Sequence, residues 1–198
     1  MKILILGGTG AMGSHLVHLL KDTKHEIVIT TRTSRPPSHN IKYLTGNAKD
    51  DVFLANVLDE KWDVIIDFMV YSATEFKNRI NHLLNSTLHY LFLSSARVYA
   101  DSETPIKETS PRLLDISTDK EFLSSDEYSL AKARQENILK NSGKNNWTII
   151  RPYITFSTYR LQLGVLEKED WLYRALKGRT IVFSEDIHSK ITTMTYGL

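Results

Sequence analysis

The chain has 198 residues, 41% hydrophobic and 24% charged, with a formal net charge of +2. That is the profile of a soluble globular protein, with room for one full domain and part of a second. The near-neutral charge, spread over short clusters, argues against nucleic acid as the main partner, and the absence of cysteine removes disulfides, thiolate catalysis and Cys-ligated metals. No stretch approaches the ~20 apolar residues of a spanning helix, and the opening Met1–Leu6 run is too short for a signal peptide. A cytoplasmic chain without membrane contact is expected.

In chain order, the aliphatic run Ile3–Leu6 predicts a strand buried on both faces. It ends in Gly7-Gly8-Thr9-Gly10, after which Met12, Leu16, Val17, Leu19 and Leu20 repeat at helical spacing. Further strands are predicted at Glu26–Thr31, Ile41–Leu44, Asp63–Phe68, His89–Ser94 and Trp147–Ile150. Helices are predicted at Asp51–Leu58, Glu75–Asn85, Asp126–Asn141 and Trp171–Leu176. The polar stretch Asp101–Ser125 reads as a long surface loop beside a site. Strand and helix alternate, the pattern of a parallel sheet covered on both faces.

Gly7-x-x-Gly10-x-x-Gly13 lies between a predicted strand and a predicted helix, the context that gives a glycine motif its meaning. Gly7 permits a tight turn, Gly10 lets the backbone approach a pyrophosphate, and Gly13 lets helix and strand pack closely. The N–H groups at the helix start, from Thr9 through Ala11 and Met12, bind the anion. The expected architecture is therefore an α/β Rossmann-type doubly wound sheet over residues 1–152, followed by the beginning of a small substrate-binding region over 153–198. Sites that prefer NAD carry a carboxylate at the end of the second strand. Here Thr31 stands in that place and Arg32 follows, with Arg35 nearby, a set suited to a 2′-phosphate. NADP is the preferred cofactor on this reading and NAD the alternative.

Tyr128 and Lys132 are spaced i, i+4 and share one helix face. A neighbouring ammonium favours phenolate, so such a tyrosine can exchange a proton with a substrate hydroxyl or carbonyl during hydride transfer. His15 and His18, at i, i+3 with no evident third ligand, read as solvated helix residues.

With the glycine motif, Leu93-Ser94-Ser95-Ala96-Arg97-Val98-Tyr99, Tyr128-x-x-x-Lys132 and Ile150-Arg151-Pro152 in this order, the chain from Lys2 to Pro152 resembles the extended short-chain dehydrogenase/reductase family. That family includes nucleotide-sugar epimerases and dehydratases. The resemblance implies Tyr128 as acid/base and Lys132 as the residue that tunes it and bonds the nicotinamide ribose. It implies Ser95 as the hydroxyl that polarises the reacting C–O bond, with Ser94 as runner-up. Phe68 and Met69 fall where the family's chain passes the cofactor, and Asn47 and Ala48 where an Asp-hydrophobe pair usually meets adenine. Dehydratases of the family carry an Asp-Glu pair after the active-site hydroxyl. Ala96-Arg97 stands there instead, which disfavours dehydration and leaves epimerisation and carbonyl reduction open.

The family's glycine-proline after the Arg-Pro strand is replaced by Phe156-Ser157-Thr158, and Lys190–Tyr196 reads like a strand preceding more of a substrate domain. A truncated chain is expected on that basis. Tyr153 and Tyr159 are candidates to line a sugar pocket. The expected substrate is a nucleotide sugar, with a homodimer through the Glu75–Asn85 and Asp126–Asn141 helices as a possible assembly. The alternative is a cofactor-sensing or RNA-associated regulatory protein on the same fold.

Overall fold

The structure, a computed structural model, describes residues 1–156, 161, 166–182 and 194–196. The chain divides into two compact units, Met1–Pro152 and Tyr153–Leu198.

In the first unit six parallel strands form one sheet. They are β1 (Lys2–Leu6), β2 (Glu26–Thr31), β3 (Ile41–Thr45), β4 (Trp62–Asp67), β5 (Thr87–Leu93) and β6 (Trp147–Ile150), in spatial order β3-β2-β1-β4-β5-β6. The connections run through α1 (Ala11–Leu20) from β1 to β2, α2 (Asp51–Leu58) from β3 to β4, α3 (Ala73–Asn85) from β4 to β5 and α6 (Tyr128–Lys140) from β5 to β6, with α4 (Leu113–Ile116) and α5 (Lys120–Ser124) in the loop before α6, while β2 and β3 are joined by a loop. The unbroken aliphatic strands are explained by their two covered faces. Leu4 and Leu6 point into one core with Val28, Leu54, Phe76, Leu83 and Phe92. Ile3 and Ile5 point into the other with Ile27, Ile29 and Ile66, closed by Leu16, Val17 and Leu20 of α1. Leu4, Ile5 and Leu6 are fully buried, each contributing about 1.5–3 kcal/mol by leaving water. Register follows, since a slip of one residue would exchange the two cores; Ile3 sits opposite Ile27 on β2 and Val64 on β4.

Helix starts are set by local chemistry. Asp50 caps α2 by accepting from Phe53 N–H, and Ser72 with Glu75 forms a reciprocal capping box on α3. The Glu127 carboxylate accepts from Ser129 N–H, so α6 begins at Tyr128 rather than at Asp126. Helix α1 differs, because Gly10 precedes it and brings no side-chain cap.

The segment expected to be a plain surface loop, Asp101–Ser125, carries short helices α4 (Leu113–Ile116) and α5 (Lys120–Ser124). Asp119 caps α5 through Phe122 N–H, and Arg112 pins the start of α4 by a fork to Asp115 at 2.7 and 2.8 Å. These local contacts have no hydrophobic period and so left no trace in the apolar pattern.

In the second unit β7 (Ile154–Phe156) pairs in parallel with β8 (Met194–Tyr196), and α7 spans Lys168–Leu176. Trp171 Nε1 donates to Leu161 O at 3.1 Å. Ser157, Thr158, Tyr159 and the first part of the expected Lys190–Tyr196 strand lie outside the described residues; Tyr153 is 39% exposed. Among the described residues, no helix is long and apolar enough to cross a membrane.

Candidate active site

The strand order reverses between β1 and β4, and in open α/β sheets ligands bind at the carboxyl ends of the strands where the order switches. A cleft of about 390 Å³ lies there, lined by Gly7, Thr9 and Gly10 after β1, Arg32 after β2, Asn47 and Ala48 after β3, and Phe68 and Met69 after β4. Eight expected cofactor residues thus share one cavity. Thr30, Gly46, Lys49 and Val70 also line it and were not singled out from the sequence. Thr30 Oγ1 accepts from Gly7 N–H at 3.3 Å.

The glycines act sterically. Gly7 has φ +71°, a left-handed conformation that side-chain-bearing residues rarely adopt, and a Cβ there would stand 3.0 Å from Met69 Sδ. A Cβ on Gly13 would come within 2.6–2.8 Å of Gly8 Cα, C and O, so α1 approaches the loop as closely as it does only because Gly13 has no side chain. The hydrogen-bond ladder of α1 opens with Ser14 N–H donating to Gly10 O at 2.9 Å. The N–H groups of Ala11, Met12 and Gly13 precede it, at the positive end of the helix dipole. Among the described residues no carboxylate lines the cleft, and its charged residues there are Arg32, exposed, and Lys49. An uncapped helix start, a glycine cradle and two cations fit a dinucleotide.

A second cluster forms at the end of β5. Lys132 is 2% exposed and its Nζ donates to Leu93 O at 2.8 Å, with the Phe92 ring centroid 4.7 Å away. Burial draws this ammonium down to about 8, while the Asp67 and Glu136 carboxylates act in the opposite sense. Two residues beyond Leu93, Ser95 is 8% exposed and its Oγ accepts from Arg97 N–H at 3.2 Å, opening a 3-10 turn at Ala96–Val98 that packs on α6. Tyr128, the first residue of α6, is 37% exposed with its ring 5.6 Å from the Arg97 guanidinium. Arg97 Nη2 also reaches Glu127 Oε1 at 3.4 Å.

The two serines are committed differently. Ser94 Oγ donates inward to Glu136 Oε1 at 2.6 Å. Glu136, fully buried, also accepts from Arg151 Nε and Nη2, both at 2.7 Å, and from Arg112 Nη1 at 3.0 Å. Burial pushes its carboxyl up, but the bonds from Arg151, Ser94 and Arg112 outweigh this and hold it below its ordinary value. Arg151 Nη1 donates to Tyr99 OH at 2.6 Å, and Pro152 O accepts from Ala96 N–H at 3.0 Å. The motif residues Ser94, Tyr99 and Arg151 thus form one scaffold under Ser95. Glu136, one helical turn beyond Lys132, was missed because a lone glutamate in a charged helix reads as solvent-facing.

Fold and cleft together define a Rossmann-like α/β domain. Residues 3–86 match the model of the NAD dependent epimerase/dehydratase family. A chloroplast stem-loop binding protein of 41 kDa from Arabidopsis thaliana is 29% identical over 197 residues, covering 91% of this chain and 48% of that protein. A UDP-glucose 4-epimerase from Streptococcus mutans is 31% identical over 139 residues, 57% of this chain and 41% of the enzyme. The chain spans less than half the length of these relatives. Among solved structures, the UDP-glucuronic acid 4-epimerase of Bacillus cereus, with UDP-glucuronic acid and NAD, superposes with a TM-score of 0.72 at 16% identity. That match covers 100% of this chain and 69% of the enzyme. The UDP-Glc/GlcNAc 4-epimerase of Campylobacter jejuni gives 0.63 at 23% identity, over 80% and 56%. At these identities the likeness is one of fold.

Proposed function

We propose that this chain forms the cofactor-binding part of an NAD(P)-dependent epimerase or reductase acting on a hydroxyl or carbonyl of a nucleotide sugar. The observation that supports it is buried Lys132 bonding Leu93 O at the end of β5, with Ser95 two residues on and Tyr128 against Arg97 of the turn that Ser95 opens, in a sheet whose switch point holds a glycine-lined cleft. The nicotinamide, when bound, accepts and returns hydride at a sugar carbon. The Gly7–Gly13 loop and the N–H groups of Ala11, Met12 and Gly13 hold the pyrophosphate; Asn47 and Ala48 face the adenine, and Phe68 and Met69 wall the cleft. Arg32, with no carboxylate beside it, takes a 2′-phosphate and makes NADP the preferred cofactor. Tyr128 receives the hydroxyl proton as the carbon loses hydride, Ser95 donates to the oxygen that becomes the carbonyl, and Lys132 supports Tyr128 as phenolate. Epimerisation would need the hydride given back on the opposite face of the keto sugar and the proton given back by Tyr128; a reductase would run the step in reverse on a carbonyl substrate, with hydride from the reduced nicotinamide and the proton from Tyr128. The names of the epimerases similar to this chain support the nucleotide-sugar assignment.

The Arabidopsis relative, whose match covers most of this chain and whose name describes stem-loop binding, favours a second reading as a cofactor-bound regulatory protein. Incubation of the protein with NADPH or NADH and a panel of nucleotide sugars separates the two. Cofactor oxidation or sugar interconversion that is lost in Tyr128→Phe is expected. Turnover unchanged by Tyr128→Phe would sink the assignment, and tight cofactor binding without chemistry would favour the regulatory reading.

A further inference from the structure

Asp67, the last residue of β4, is 1% exposed and no motif accounts for it. Its Oδ2 accepts from Tyr90 OH at 2.8 Å, and its Oδ1 from Met69 N–H at 2.8 Å and Tyr71 OH at 3.4 Å. These partners are neutral, and a buried carboxylate needs a cation to stay ionised. The surrounding charges identify one. Arg112 and Arg151 both bond Glu136, and Arg112 also bonds Asp115, so that cluster closes at zero without help. Arg79 lies over the Tyr71 ring at 4.8 Å but delivers its ion pair to Asp51 at 2.9 Å. Lys132 remains. Its Nζ sits against Phe92, the residue paired with Asp67 across β4 and β5, and its one hydrogen bond among the described residues is to a carbonyl, Leu93 O.

We propose that Asp67 is the counter-charge of Lys132 and a positioning residue of the site, one buried carboxylate that balances the ammonium behind Tyr128 and holds the Phe68–Met69 wall of the cleft through Met69 N–H. Burial raises the Asp67 carboxyl, opposed by Met69 N–H, Tyr90 and the charge of Lys132, and the same charge pair acts to keep Lys132 protonated against its own desolvation. Tyr71 and Tyr90, both driven well above their ordinary range by burial and then by the Asp67 charge, stay neutral donors. The charged and titratable groups around the pair are Asp67 from β4, Tyr90 from β5, Tyr71 and Arg79 from the α3 side, and Tyr128 and Glu136 from α6. Either residue of the pair that loses its charge strands the other, so the lysine that serves the tyrosine and the wall that contacts the cofactor respond to a single protonation event.

The significance for turnover rests on the proposed function; the pairing does not, and its test needs no substrate. Lysine Cε and aspartate Cγ signals are titrated by NMR in the wild-type protein, in Asp67→Asn and in Lys132→Met. Lys132 is expected to titrate near 8 in the wild type and about one unit or more lower in Asp67→Asn, roughly a tenfold change in its acidity. Asp67 is expected to titrate higher in Lys132→Met, because linkage is reciprocal. NADPH affinity, followed by fluorescence, is expected to fall severalfold in Asp67→Ala, which removes the acceptor of Met69 N–H that Asn would keep. If Asp67→Asn does not fold, Lys132→Met and the wild-type curves decide, since a coupled pair shows each group's inflection in the other's signal. A Lys132 midpoint unmoved by Asp67→Asn, or an Asp67 signal indifferent to Lys132→Met, overturns the pairing. Coupled titrations without sugar turnover overturn the proposed function alone.

Discussion

Replacing Glu136 by Gln removes one charge and reverses one hydrogen-bonding atom at the centre of the scaffold beneath Ser95. The carboxylate accepts two bonds from Arg151, one from Arg112 and one from Ser94. Gln keeps a single acceptor oxygen and turns an NH₂ donor towards guanidinium donors. Losing one partner of a buried ion pair costs about 3–5 kcal/mol. The lower end applies here, because Arg112 keeps Asp115 and Asn137 and Arg151 keeps Tyr99 OH and Glu108 O. For a chain of this size about 3 kcal/mol corresponds to a melting temperature lower by roughly 6–12 °C. Differential scanning calorimetry of the two proteins at neutral pH measures it, with Ser94→Ala as a milder companion expected to lose about 1 kcal/mol. A Glu136→Gln melting temperature within about 2 °C of wild type would show that the scaffold carries little stability, and the reasoning from buried charge would fail.

Arg32→Ala should weaken NADPH binding about ten- to a hundredfold, the value of a charge-assisted hydrogen bond, and leave NADH almost unchanged; equal losses for both cofactors would refute the 2′-phosphate assignment. Gly13→Ala places a Cβ against backbone atoms of Gly8 that cannot rotate away. A destabilisation of about 1–3 kcal/mol and at least tenfold weaker cofactor binding are expected from thermal melts and fluorescence titration, and wild-type affinity in this variant would discount the close approach. Stability should fall in acid. Glu136, Glu75 and Asp115 have folded-state values below their ordinary ones, so the stability they contribute is present above the ordinary carboxyl range and lost as pH falls through the folded values. Asp67, raised by burial, opposes this because its protonation relieves a cost. A melting temperature that stays flat from neutral pH down to about pH 3 would contradict the net sign.

The sheet was legible in the sequence because its strands are buried on both faces, which leaves unbroken runs such as Ile3–Leu6 and the Ile-Ile of β4. The cleft at the switch point was legible because the Gly7-x-x-Gly10-x-x-Gly13 spacing has few other uses between a strand and a helix. Lys49 and Thr30 escaped notice because nothing in their local pattern distinguishes a rim cation or a buried hydroxyl from its many neighbours. Asp67 and Glu136 escaped for a deeper reason. A buried carboxylate is defined by what surrounds it in space, and their partners lie as far along the chain as Tyr90, Arg112 and Arg151. The short helices after Ala100 were hidden because hydrogen bonds and the Arg112 fork, rather than an apolar stripe, hold them.

The reversal of strand order between β1 and β4 has a consequence for how such a chain can change. In the proposed function, recognition of the adenosine end would depend on the tips of β1, β2 and β3, while Ser95 follows β5 and Tyr128 and Lys132 stand on α6. The halves meet along a single strand pair, with Phe68 and Met69 at the seam. On the proposed function, substitutions around Arg32 would change cofactor preference without disturbing the reacting groups, and substitutions around Ser95 would change the chemistry on an unaltered cofactor. Modular inheritance of this kind asks only that the seam, and the aspartate that fixes it, be kept.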